Sequence, residues 1–240
     1  MSAPWLALDT ATAVASVAIG SAERVHAARS VRGARQHAAQ IVPLIQEVLT
    51  LAATRLEQIA GIVVGDGPGS FTGLRIGWAA AKGLAHERGL PIVAVPSLLG
   101  AAHAAAQGEV GPVAACFDAL RGQVFAAIYA FPPGRVETLV APGLFTLAGL
   151  ARVAPVRPLV AVGDGAQRYS DEVTSWTGRA PLALDTLPPV AGSLLALRER
   201  RGASRPLDDA TSAEPTYGRP AEAQAKWEAH HGRPLPHSSR

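Results

Sequence analysis

The chain has 240 residues, of which 48% are apolar, and a formal net charge of +3 at pH 7. This apolar content excludes an intrinsically disordered chain, and so small a charge is too dilute to indicate nucleic-acid binding by itself. There is no uncharged apolar run of about 18 residues, no leader-like start, and only one cysteine, Cys116. We therefore expect a cytoplasmic protein with no membrane span and no internal disulfide.

The chain opens with three predicted strands, at residues 5–8, 14–20 and 23–30, which are rich in Val and Ile and are joined by short turns. The first turn presents Asp9, Thr10 and Thr12. This pattern indicates an antiparallel meander with polar side chains at its first turn.

A change of period after Arg35 predicts a helix at residues 35–52. Pro43 lies inside the pattern, so the helix either begins late or is kinked. The run at residues 61–65 is continuously apolar, as expected of a strand covered on both faces. The apolar stripe of the helix consists of Ile41, Leu44, Ile45, Val48, Leu49 and Ala52.

A glycine-rich segment, residues 65–77, follows this strand and leads into a predicted helix at 74–88. A strand at 92–95 and an Ala-rich helix at 98–106 complete the first half. The segment lacks the Gly-Lys-Ser/Thr ending of a Walker A loop and the acidic residue of a dinucleotide fingerprint. Two explanations stay open: a phosphate cradle at a helix start, or a tight connection that packs closely.

The second half repeats the strand, aspartate, turn, strand pattern, with strands at 113–118 and 123–131 around Asp118. A helix at 146–153, a strand at 159–162 ending in Gly163-Asp164-Gly165, and a helix at 190–201 follow. The repeat predicts two lobes, 1–105 and 106–205, and a Pro-rich tail at 206–240. Asp118 and Asp164 are expected to form turns or cap helices.

Residues 67–77 resemble the signature of the Gcp/YeaZ proteins, which build the threonylcarbamoyl group on a tRNA adenosine next to the anticodon. The motifs at residues 8–12, 35–37, 118–125, 163–166 and 214–219 are similar to the same family, in the same order. The resemblance implies an α/β fold of the two-lobed, actin-like ATPase (ASKHA) type, a duplicated ribonuclease-H-like architecture.

One spacing separates the two branches of this family. The catalytic TsaD transferases carry a His-x-x-x-His pair that holds a metal, whereas here His37 is followed four places on by Ile41. The chain therefore resembles the non-catalytic TsaB branch, for which we expect no catalytic residue and no metal site. The resemblance implies a scaffold that dimerises with a TsaD-type transferase and helps recruit a TsaE-type ATPase, with tRNA as the substrate of the complex.

The same resemblance implies a partner surface on the first two helices, with Trp78 as an anchor. On this hypothesis, Trp78→Asp or Leu74→Arg should abolish binding of the transferase and leave the fold intact. The predicted interface residues are Ile41, Leu44, Ile45, Val48, Leu74, Gly77, Trp78 and Ala81.

Two alternatives remain open. The chain alone could be a nucleotide-binding transferase or phosphotransferase, or it could form a homodimer through the same apolar face. No cofactor is expected for the isolated chain, and ATP or ADP is expected only at the interface of the complex. The candidate residues for binding nucleotide are Asp9, Thr12, Gly69, Ser70, Thr72, Gly73, Gly163 and Gly165.

Overall fold

A computed structural model describes residues 3–33, 37–106 and 111–219. Within these ranges the chain forms two β-sheets and seven α-helices. The strands are β1 (Trp5–Asp9), β2 (Val14–Gly20), β3 (Val25–Arg32), β4 (Gly61–Gly65), β5 (Ile92–Val95), β6 (Val113–Asp118), β7 (Val124–Ala130), β8 (Glu137–Phe145), β9 (Val160–Val162) and β10 (Arg205–Pro206). The helices are α1 (His37–Leu51), α2 (Phe71–Arg88), α3 (Ser97–Ala105), α4 (Leu147–Val153), α5 (Asp164–Arg168), α6 (Ser170–Thr177) and α7 (Val190–Leu197).

Four strands of the first sheet, β3-β2-β1-β4, repeat the order of the second sheet, β8-β7-β6-β9, which confirms the predicted duplication. The first sheet runs β10-β5-β4-β1-β2-β3 and the second runs β8-β7-β6-β9. In each, the first strand pairs antiparallel with the second and parallel with a later strand: β1 with β2 and β4, and β6 with β7 and β9. The fold is therefore the two-lobed α/β type that the resemblance implies.

Each sheet carries helices on its outer face. Helices α1 and α2 cover the first sheet and enclose the outer core of the first lobe, which includes Leu8, Ile62 and Trp78. Helices α4, α5 and α6 cover the second sheet over a smaller core that includes Ile128 and Leu150. The inner faces of both sheets meet in a single middle core.

The two helices of the middle core are exchanged between the lobes. Helix α3, which follows the first sheet in sequence, packs on β6 and β7, whereas α7, from the second half, packs on β1 and β2. Their side chains, such as Leu98 and Leu194, are fully buried together with residues of both sheets. Neither sheet therefore has a complete inner face without the other half of the chain.

The predicted elements agree with the structure except for four that the prediction omits, β8, β10, α5 and α6. Strand β8 contains Pro142 and Gly143 and is mostly half-exposed, so it has no clear alternation of apolar residues. Helix α6 buries only Val173 and Thr177, too few residues to show a helical period. Pro43 lies within α1.

Part of the predicted tail is packed on the first lobe. Arg205 and Pro206 pair with β5, and Leu207, Ala210 and Ala213 contact the outer core of that lobe. Residues 220–240 lie outside the described ranges, as do Arg35 and Gln36 of one predicted motif. No helix in the described part of the chain is long and apolar enough to cross a membrane.

Candidate functional site

The turn between β1 and β2 is docked into the glycine-rich segment. The backbone N–H of Ser70 donates to the carbonyl of Ala11 at 2.7 Å. The hydroxyl of Thr10 donates to the carbonyl of Gly73, also at 2.7 Å. Because β1 and β4 are parallel neighbours, the turn after one and the loop after the other meet at the same edge of the sheet.

Three glycines are required by this close approach. A methyl group at Gly69 would overlap the carbonyl oxygen of Ala11, and one at Gly73 would overlap that of Thr10. At Gly77 it would overlap the hydroxyl oxygen of Thr10. Of the two explanations left open by the sequence, these contacts favour the tight connection, because the protein's own turn lies against these glycines.

The remaining loop hydroxyls have local roles or point to the surface. The Ser70 hydroxyl is the N-cap of α2 and accepts from the N–H of Gly73 at 3.2 Å. The Thr12 hydroxyl accepts from the N–H of Val14 at 3.2 Å and so stabilises its own turn. Thr72 is exposed in the first turn of α2.

Asp9 is the most buried acidic group of this edge, with 3% of its surface exposed. Its carboxylate accepts from the Ser97 hydroxyl at 2.6 Å and from the N–H of Ala11 at 3.3 Å. Burial raises the pKa of Asp9 to about 6, although these hydrogen bonds and the nearby His37 lower it. A carboxyl group with this pKa can hold a proton close to neutral pH.

His37, at the first turn of α1, is buried against the same turn. Its Nε2 lies 2.7 Å from the carbonyl oxygen of Thr12 and must carry the proton, because a carbonyl only accepts. The ring therefore ties α1 to the turn between β1 and β2. Among the described residues, no group of three or more His, Cys, Asp or Glu side chains is arranged to hold a metal ion.

A second group of predicted residues lies in the second lobe. The carboxylate of Asp164 accepts from the N–H groups of Asp118 and Gly165, both at 3.0 Å, so it fixes the strand end to α5. Burial raises the pKa of Asp164. A methyl group at Gly163 would overlap the carbonyl oxygen of Cys116. These glycines and aspartates are thus accounted for by packing and turn geometry.

The predicted nucleotide residues therefore form two groups. Asp9, Thr12, Gly69 and Gly73 come together at the edge of the first sheet, with Ser70 and Thr72 at the start of α2. Two cavities of about 270 Å³ and 230 Å³ lie elsewhere, and His103 lines both. None of the predicted nucleotide residues lines either of these two cavities.

The prediction of the partner surface is wrong for the residues that it names, because all of them are buried. Trp78 is 3% exposed, and its indole N–H donates to the carbonyl of Gly65 at 3.0 Å, inside the outer core of the first lobe. The stripe of α1 faces the first sheet and not solvent. Trp78→Asp or Leu74→Arg would bury a charge and disrupt the fold, so neither variant tests binding. The buried residues are Ile41, Leu44, Ile45, Val48, Leu74, Gly77, Trp78 and Ala81.

Three further residues contact one another at this edge, and none of them is among the predicted site residues. Asp66 is bound through both carboxylate oxygens by Arg205, at 3.1 and 3.2 Å, and accepts from the Thr216 hydroxyl at 3.2 Å. Burial raises the pKa of Asp66, and the Arg205 guanidinium partly offsets this effect. The only sequence signal for these contacts is the motif at residues 214–219.

Comparison with known proteins identifies the chain's relatives. A family model described as "TsaD: tRNA N6-adenosine threonylcarbamoyltransferase" matches residues 31–159, more than half of the chain. The tRNA threonylcarbamoyladenosine biosynthesis protein TsaB of Bacillus subtilis is 30% identical over 229 residues, which cover 92% of this chain and 96% of that protein.

Two further matches agree. TsaB of Escherichia coli is 40% identical over 125 residues, 52% of this chain, and the match spans about half (54%) of the relative's length. The solved structure of YeaZ from Pseudomonas aeruginosa superposes with a TM-score of 0.71 at 30% identity, covering 90% of this chain and 99% of that one. This chain belongs to the TsaB (YeaZ) family of tRNA threonylcarbamoyladenosine biosynthesis proteins.

Proposed function

We propose that this chain is a non-catalytic scaffold subunit of the machinery that makes threonylcarbamoyladenosine in tRNA. In the cytoplasm it would pair with a TsaD-type transferase and help recruit a TsaE-type ATPase, with tRNA as the substrate of the assembled complex. The observation that carries the proposal is the docking of the turn between β1 and β2 onto the glycine-rich segment. The names of the TsaB relatives supply the pathway.

The site chemistry supports a role without catalysis by this chain alone. The Ser70 hydroxyl is used as a helix cap, and the Nε2 of His37 is bound to a backbone carbonyl. A phosphate cradle needs free backbone N–H groups, but the Ser70 N–H is bound to Ala11. The alternative of a stand-alone nucleotide-binding transferase would require this turn to move away.

The exposed sides of α1 and α2 are the partner surface that we propose in place of the buried stripe. Val42 on α1 is 54% exposed. On α2, the exposed Ala79 and Gly83 are four residues apart and so share one face; a methyl group added at Gly83 would meet nothing within 4 Å. Small residues in a row let a helix of another subunit approach closely.

This surface can be tested with matched pairs of substitutions. Ala79→Arg and Val42→Arg place a long charged side chain on the proposed surface and should abolish co-purification with a co-expressed transferase. Ala148→Arg and Val153→Arg make the same changes at exposed positions of α4 and should leave co-purification unchanged. Equal recovery of the transferase with all four variants would refute the surface.

The catalytic assignment needs its own measurement. A tRNA modification assay in which each subunit is omitted in turn should show no product with this chain alone and strongly reduced product without it. Calorimetric titration of the isolated chain with ATP and magnesium should show no binding. Tight binding, or product from this chain alone, would favour the enzymatic alternative.

Sedimentation of the isolated chain, with Ala79→Arg as control, tests the homodimer.

A further inference from the structure

The segment at residues 205–219 crosses from one lobe to the other. It leaves the middle core after α7, pairs with β5 at Arg205 and Pro206, and then runs over the outer core of the first lobe. Lys82 of α2 donates to the carbonyl of Thr211 at 3.0 Å along the way. The segment then contacts the glycine-rich loop and ends on the second lobe.

The first-lobe end of this segment is anchored on Asp66. Besides the ion pair in which Nη2 of Arg205 contacts both carboxylate oxygens, the N–H of Thr216 donates to the backbone carbonyl of Asp66 at 2.8 Å. The Asp66 side chain is only 12% exposed and that of Arg205 is 51% exposed, so a single nitrogen of a half-exposed guanidinium reaches both oxygens of a buried carboxylate. A methyl group at Gly67 would lie 2.5 Å from the carbonyl oxygen of Thr216, so the segment packs tightly on the loop.

The second-lobe end is anchored on the turn between β6 and β7. Gly218, with a φ of 70°, passes between the two lobes: an added methyl group would lie 2.6 Å from Pro68 and 2.9 Å from the ring of Phe125. Arg219 then donates to the carbonyl of Ala119 at 3.0 Å and to the side-chain oxygen of Gln123 at 2.6 Å. These contacts join the loop of one lobe to the strand and turn of the other.

Two lobes that are joined at one place can rotate relative to each other about that joint. Hinge closure of two lobes around a ligand is a common motion of this kind. Here the middle core is one joint. The segment at residues 205–219, anchored on Asp66 in one lobe and on Gln123 in the other, is a second. A second joint at a different place restricts this rotation. We propose that residues 205–219 form a brace that locks the two lobes at one angle, so that the chain is a rigid platform and not a hinge.

The brace is a property of the isolated chain and does not depend on the partner proposed above. Its consequence is that any partner touching both lobes meets a preformed surface, which lowers the ordering cost of binding. The brace also predicts that binding of a nucleotide cannot bring the two lobes of this chain closer together.

The lobe angle can be measured by pulsed electron paramagnetic resonance between nitroxide labels on Glu57→Cys and Glu172→Cys. Both positions are exposed, one in each lobe, and the native Cys116 is fully buried. Labelled protein diluted with unlabelled protein suppresses distances between molecules. The wild-type brace should give one narrow distance that does not change when ATP and magnesium are added.

Two variants should release the brace at its second-lobe end. Arg219→Ala removes both hydrogen bonds, and Gly218→Ala inserts a methyl group between Pro68 and Phe125. Each variant should show a second, longer distance between the two labels. Arg201→Ala changes an exposed arginine just outside the brace and should show no second distance. The proposal is overturned if the wild type shows two distances or responds to ATP, or if Arg219→Ala coincides with the wild type.

Discussion

At the scale of single residues, Asp9 shows how a turn can place an acidic group where water cannot reach it. The carboxylate is held by Ser97 and by a backbone N–H, yet burial dominates and raises its pKa. The group thus costs stability whenever it is ionised in the folded chain. This cost is a measurable signature of the docked turn.

Asp9→Asn should change how stability depends on pH. In the wild type the pKa of Asp9 rises from 3.8 in the unfolded chain to about 6 in the folded chain. The folded state therefore keeps this proton to a higher pH. The free energy of unfolding should therefore fall by about 3 kcal/mol as the pH rises through this window, and this fall should be missing in Asp9→Asn. Urea unfolding at several pH values gives the difference between the two proteins.

Ser97→Ala provides the control for this experiment. Removing the donor that lowers the pKa of Asp9 should extend the fall in stability to higher pH and make it larger. Parallel stability curves for the wild type and Asp9→Asn between pH 4 and pH 7 would contradict the burial of an ionisable Asp9.

At the scale of elements, α2 combines two kinds of glycine on one helix. Gly77 faces the turn between β1 and β2, where a side chain would overlap the hydroxyl oxygen of Thr10. Gly83 faces open space on the opposite side. The sequence alone does not distinguish them, because both are single glycines inside a helical pattern.

Alanine at these two positions should have opposite effects. Gly77→Ala should destabilise the isolated chain by about 2 kcal/mol, because the turn must move to admit the methyl group. Gly83→Ala should stabilise it by about 1 kcal/mol, because alanine favours a helix and nothing opposes it. Urea unfolding measures both. Unchanged stability in Gly77→Ala would contradict the docking of the turn, and a loss of stability in Gly83→Ala would contradict the open surroundings of Gly83.

The elements show which parts of the fold and site were predictable. The stripe on α1 correctly predicted which side of the helix is buried, but a stripe does not tell whether its own sheet or another protein covers it. The prediction of a partner surface that includes Ile41 and Trp78 is therefore wrong, because both residues lie in the core. Asp9 meets the glycine-rich segment because β1 and β4 are parallel neighbours, a pairing that the sequence did not predict. Its bond to Ser97, 88 residues away, has no local pattern.

At the scale of the whole molecule, the exchanged helices make one folding unit of the two lobes. Leu194 of α7 is fully buried in a core that includes Val63 of the first sheet and Phe117 of the second. A repeated sequence pattern predicts two lobes, but it does not predict that each lobe supplies a helix to the other. Stability should therefore be shared across the chain.

Leu194→Ala should weaken both lobes together. Loss of this side chain should cost about 3 kcal/mol, and hydrogen exchange should accelerate at the core amides of both β4 and β6. Val153→Ala, at an exposed position of α4, is the control that should change neither. Faster exchange in only one sheet would contradict a shared middle core.

The exchange of helices also has a consequence for biosynthesis. While the ribosome is still making the second half, the inner side of the first sheet has no α7 to cover it, since that helix begins only at Val190. Most of the polypeptide must therefore emerge from the ribosome before the first sheet can bury its apolar inner face. A prematurely terminated chain would leave this apolar surface exposed to solvent, and we expect chaperones and proteases to bind it.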